Sequence, residues 1–133
     1  MRRITILFLI LLTTMLAIVS CANIGAPDGG RYDEEPPVLV KAAPVLNATN
    51  VKEAKISLEF DENIRLENAF ENVVVSPPQM QLPEIKSNLK KVTVELLDSL
   101  APNTTYSIDF GNAIVDNNEG NPLHGLRYVF STG

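Results

Sequence analysis

Lys55-Ile56-Ser57-Leu58-Glu59-Phe60 alternates polar and apolar side chains residue by residue. Successive side chains of an extended strand point to opposite faces, so Ile56, Leu58 and Phe60 are expected on one face and Lys55, Ser57 and Glu59 on the other. This is the pattern of a half-buried strand. Moving outward, the same rule turns Val92, Val94 and Leu96 inward in Lys91 to Leu97, and Tyr106, Ile108 and Phe110 inward in Thr105 to Phe110. It does the same for Leu126, Tyr128 and Phe130 in the last strand. Val38 to Ala43 and Asn72 to Ser76 read as further strands. Leu82 to Ser87 reads as an edge strand, because Pro77-Pro78 and Pro83 cannot donate to a central ladder, and Leu66 to Glu71 reads as a helical turn. Six or seven short strands separated by turn residues predict an all-β fold, a β-sandwich over residues 36–133.

The N-terminal part of the chain follows a different rule. Arg2 and Arg3 precede Ile4 to Val19, a run without charge or proline whose only polar side chains are Thr5, Thr13 and Thr14. A basic start and an apolar stretch of this length form the profile of a signal peptide over residues 1–20. As a helix its sixteen residues would span about 24 Å, short of the ~30 Å hydrocarbon layer, which argues against a permanent transmembrane anchor. Removing these residues leaves one domain's worth of chain with 9 Lys and Arg against 16 Asp and Glu, a net charge of −7. Such a chain is a poor match for nucleic acid, whose phosphates need clustered cations.

Ile18-Val19-Ser20-Cys21 resembles the lipobox of bacterial lipoproteins: an aliphatic residue, a small residue before the cut, then a cysteine. The resemblance implies cleavage between Ser20 and Cys21 and a diacylglycerol on the Cys21 thiol, with acylation of the new amino terminus. Cys21 is the only cysteine, so an exported chain has no internal disulfide to make with it. Two or three acyl chains hold a protein to a bilayer where one does so only reversibly. Ala22 stands where an Asp often signals retention at the inner membrane, so the expected location is the cell envelope, at the outer membrane. Residues 21–35 are rich in Gly, Pro and charge and read as a flexible tether, with a reach of about 20–25 Å.

Leu100-Ala101-Pro102-Asn103-Thr104-Thr105-Tyr106 has the Leu-x-Pro-x-x-x-Tyr form of a tyrosine corner, in which Leu100, Pro102 and Tyr106 fix a crossover between sheets through a bond from the phenol to upstream backbone. Here the sequence resembles the SbsA-type bacterial Ig-like domain. The matching segments are Pro36-Pro37-Val38, Pro44 to Val51, Ile56 to Glu62, Leu100 to Tyr106, and Ile114 to Pro122 running on to Phe130-Ser131-Thr132-Gly133. The resemblance implies an Ig-like, fibronectin-III-like sandwich serving as spacer, stalk segment or adhesion module. It carries no shared catalytic residues, and in relatives the domain is one unit of a longer chain.

Other chemistry finds little support in the residues. Asp116-Asn117-Asn118-Glu119-Gly120-Asn121 offers oxygen ligands for Ca²⁺, but an EF-hand loop needs Gly sixth and a carboxylate twelfth, where this run has Gly120 fifth and Arg127 twelfth. A tight turn is the expected reading. His124 has no nucleophile motif beside it, Gly-x-Ser-x-Gly is absent, and Asp61 with Glu62, adjacent on a strand, would face opposite sides. No catalytic residue, metal or cofactor is therefore assigned. Asn47-Ala48-Thr49 and Asn103-Thr104-Thr105 fit a eukaryotic glycosylation sequon and read as turns in a bacterial protein. Asp98-Ser99-Leu100 resembles the Bacteroidetes signal for O-glycosylation at Ser99. The expected partners are the membrane, through the lipid anchor, a protein or glycan, and neighbouring domains if the native chain is longer.

Overall fold

The computed structural model describes residues 1–17, 25 and 29–133. Ile18 to Cys21, and with them the expected cleavage and lipidation positions Ser20 and Cys21, lie outside the described residues. The chain divides into two compact units, Met1–Arg31 and Tyr32–Gly133.

The first unit contains α1 (Arg2–Ala17). Ile4, Ile6, Leu7, Phe8, Leu9, Ile10, Leu11 and Leu12 are exposed. The Thr5 hydroxyl donates to the Met1 carbonyl at 2.9 Å, and Thr13 and Thr14 donate to the Ile10 carbonyl at 2.9 and 3.0 Å, so the polar side chains are satisfied within the helix itself. Among the described residues no helix is long and apolar enough to cross a membrane.

The second unit is built from β1 (Leu39–Ala43), β2 (Lys55–Phe60), β3 (Ile64–Leu66), the helical turn α2 (Ala69–Asn72), β4 (Val74–Ser76), β5 (Glu84–Asn88), β6 (Lys91–Glu95), β7 (Thr105–Asp109), β8 (Ile114–Asp116) and β9 (Arg127–Ser131). All strand pairs are antiparallel, in one sheet of order β1-β2-β6-β5, one of order β4-β7-β9 and a two-stranded sheet of β3 and β8. The register sets Ile56 opposite Val94 and Leu58 opposite Val92 in one sheet, and Tyr106 opposite Phe130 and Ile108 opposite Tyr128 in the other. These residues all face inward, and together with Phe60 and Phe110 they form a single core. Tyr106 and Phe130 stack with ring centroids 5.1 Å apart.

Several local expectations shift. Nine strands form among the described residues, not six or seven. β3 and β8 were not anticipated, because three residues are too few to show alternation and β8 is buried at every position. The helical turn falls at Ala69–Asn72, not Leu66 to Glu71, because Leu66 is taken into β3, and the strand that follows starts at Val74 instead of Asn72. Asp61 and Glu62 lie in a bend beyond the end of β2, not on a strand. Leu126 packs against the core as expected but is only half buried and lies ahead of β9, not in it. β5 is an edge strand, although it runs from Glu84 to Asn88. The second unit begins at Tyr32, within the stretch expected to be tether, and the Asn121 amide donates to the carbonyls of Asp33 at 2.9 Å and Glu35 at 3.4 Å.

Candidate functional site

Those side chains singled out by sequence that lie in the second unit fall at the two ends of the sandwich. At one end, β7 starts beside Ser131 with the Leu100–Tyr106 segment leading into it. The buried Tyr106 ring stacks in the core, and its phenol oxygen accepts the Ala101 backbone N–H at 2.8 Å, five residues upstream. Leu100 packs against the core at its rim. The Thr132 hydroxyl joins the same end, donating to the Ala101 carbonyl at 2.7 Å and accepting the Thr104 N–H at 2.9 Å. Removing only the phenol oxygen, in Tyr106→Phe, orphans one partly buried N–H and is expected to lower stability by about 1 kcal/mol without altering the fold, as read by urea denaturation.

Ser99 is exposed on the same end, next to Asp98. The Asp98 carboxylate accepts the backbone N–H groups of Met80 and Gln81 and the Gln81 side-chain amide. It thereby holds the 77–83 connection between β4 and β5 while Met80 stays 96% exposed.

At the opposite end lies the Asp116 loop. Asp116 closes β8 and is the one buried charged residue among those described. Its Oδ1 accepts the N–H groups of Glu119 at 2.6 Å and Gly120 at 3.0 Å, and its Oδ2 accepts that of Asn121 at 2.9 Å. Burial pushes this carboxyl up, but the N–H donors of Gly120, Asn121, Glu119 and Asn118 outweigh it and hold it at about 2. The Asp116 oxygens, first in the run that a calcium reading would draw on, are thus turned onto the loop's own backbone. Glu62, nearby, is pushed above the usual carboxylate range by burial and then by the negative charges of Asp116, Asp61, Asp33 and Glu119. Among the described residues no three His, Cys, Asp or Glu side chains stand close enough together to hold a metal ion. His124 is exposed, its Nδ1 2.6 Å from Asn112 Oδ1.

Asp116 as the centre of a loop, and the bond from the Tyr128 phenol to the Pro44 carbonyl at 2.8 Å, are the features that sequence reading missed. The signal for the first was an acidic residue two positions after Ile114, where strand alternation turns it to the same face as that apolar side chain.

Among solved structures, the chain is similar to an L,D-transpeptidase from Mycobacterium smegmatis, at 11% identity and a TM-score of 0.48, over 73% of this chain and 40% of that one. It is also similar to PcoC, a methionine-rich copper resistance protein from Escherichia coli, at 19% identity and a TM-score of 0.48, over 73% of this chain and 98% of that one. No curated protein matches the sequence. Residues 33–132 match a family described as the bacterial Ig-like domain. That span takes in every strand described above and the whole core, so the chain belongs to the bacterial Ig-like domain family.

Proposed function

We propose that this protein is an exported lipoprotein of the bacterial cell envelope, held at the outer membrane by acyl chains on Cys21, that presents one SbsA-type Ig-like domain in a non-catalytic structural or interaction role. The observation that carries this reading is the sequence Ile18-Val19-Ser20-Cys21 directly after a short apolar run that begins with Arg2 and Arg3. The α1 helix, about 24 Å long at 1.5 Å per residue, suits a cleaved leader better than a spanning anchor.

The domain's geometry supports a spacer. Residues 33–38 lie at the end that holds Asp61 and Asn121, since Val38 N–H donates to Asp61 Oδ1 at 2.8 Å. Gly133 lies at the other, where its carbonyl accepts the Asn50 N–H at 3.0 Å. β7 runs between these ends, from Thr105 beside Ser131 to Asp109 beside Arg127. A domain whose chain comes in at one pole and leaves at the other adds its full length to an anchored stalk and can stack in line with neighbouring domains. Ser99, which follows Asp98 and is exposed, is the residue that the Asp-Ser-Leu signal proposes for O-glycosylation.

Expression in a diderm bacterium tests the anchor. Wild type is expected in the membrane fraction, as a species that starts at Cys21 and is heavier by its acyl chains. Cys21→Ala should leave that fraction and lose the added mass. Two forms of identical partitioning and unmodified mass would refute the lipoprotein reading.

A further inference from the structure

A sandwich of two sheets has an open seam along each edge, and the one beside β1 is lined by apolar side chains. β1 is the outermost strand of its sheet, with β2 on one side and no strand on the other among the described residues. The facing wall is the segment around Val45 and Leu46. It is tied to the other sheet by the Tyr128 phenol donating to the Pro44 carbonyl at 2.8 Å and by Asn47 N–H donating to the Val129 carbonyl at 2.9 Å. Between the walls lies a groove of about 440 Å³ lined by Leu39, Val40, Lys41, Ala42, Val45 and Leu46. Val40 is 58% and Val45 68% exposed. A register shift between Leu39 and Lys41 marks a bulge at Val40, a device that re-aims one side chain and leaves the ladder free to resume beyond it.

The charge of the groove names its occupant. Lys41 is its only ionisable residue, in a chain that is otherwise strongly acidic. None of the four ion pairs among the described residues includes Lys41, and its cross-strand neighbour Glu59 is paired with Lys91 at 3.9 Å. A second copy fits badly, because pairing β1 with β1 brings two Lys41 side chains and two bulges together. A lipid surface fits badly too, since the groove lacks the aromatic belt and clustered cations of membrane-binding faces. We propose that this seam docks an extended apolar strand of another protein that carries a carboxylate opposite Lys41. Backbone pairing along β1 supplies affinity, and the valine pockets and Lys41 supply selection.

The proposal rests on the interaction role given above but not on the lipid anchor, and peptide binding is read separately from acylation. The full chain, reconstituted in nanodiscs, is titrated by fluorescence anisotropy with fluorescein-labelled Val-Asp-Val-Asp-Val, with Val-Lys-Val-Lys-Val, and with a peptide of the chain's own residues 38–44. The acidic peptide is expected to bind about tenfold tighter than the basic one. Lys41→Glu should reverse that order, and Val40→Asp combined with Val45→Asp, both at exposed positions, should abolish binding. Equal binding of the two charged peptides, or an order unchanged in Lys41→Glu, overturns the proposal. Tighter binding of the 38–44 peptide would overturn it by giving the seam to a second copy, and the same signal on protein-free discs would do so by giving it to lipid.

Discussion

Tyr128→Ala is expected to lower stability by about 3–5 kcal/mol, the range for deleting a large buried ring. For a domain of about 100 residues this corresponds to a fall in Tm on the order of 20 °C. Tyr128 is fully buried, pairs across the ladder with Ile108, and lies 6.0 Å from the Phe130 ring in a tilted arrangement. Removing it opens a void against residues that are themselves fully buried, so the walls have little room to collapse inward. The same side chain holds the segment after β1 in place, because its phenol donates to the Pro44 carbonyl at 2.8 Å. Burial also pushes the phenol's pKa upward, so it remains a donor at neutral pH. Tyr128→Phe separates the two contributions: it keeps the ring and loses only this bond, at an expected ~1 kcal/mol. Equilibrium urea unfolding of the three proteins measures both steps. A Tyr128→Ala variant within about 1 kcal/mol of wild type would mean that the two sheets do not close over this ring.

The contrast between Tyr128 and its bond explains what the sequence could reveal. Tyr128 as an inward residue is readable from alternation with Phe130, because a strand's two-residue period is local. Its partner Pro44 lies 84 residues away, and no local pattern encodes that distance. The Leu100–Tyr106 motif was legible for the opposite reason, since both ends of the Ala101–Tyr106 bond lie within one short stretch. β3 and β8 escape the pattern because each has three residues and β8 is buried at every position. The tight turn expected at Asp116 gives no sign of a buried acid, since Asn, Asp and Gly compose buried-acid loops and exposed turns alike. The seam beside β1 depends on which strand ends up outermost, a property of topology and not of any segment.

Replacing Asp116 is the second change expected to have a large effect, and its dependence on pH identifies the cause. Asp116→Ala leaves three backbone N–H groups, those of Glu119, Gly120 and Asn121, without the acceptor they share. A loss of about 2–4 kcal/mol at neutral pH is expected. Asp116→Asn keeps the shape but loses the charge, and its amide turns donors toward donors. The folded carboxyl sits at about 2, below its ordinary 3.8. With the folded value depressed, the stabilisation is fully present above the unfolded value and is lost as pH falls through the folded one. The window is therefore from about pH 4 down to about pH 2, with about 2 kcal/mol at stake. Glu62 works in the opposite sense: its folded value is raised, so its charge opposes folding at neutral pH and protonation relieves that on acidification. Part of its elevation comes from Asp116 itself, so removing that charge also weakens the opposing contribution. The stability curves of wild type and Asp116→Asn should thus lie furthest apart near pH 7 and approach each other below pH 4. Parallel curves across that range in chemical denaturation would mean that the carboxylate's charge does not hold the loop, and that Asp116 contributes only by its shape.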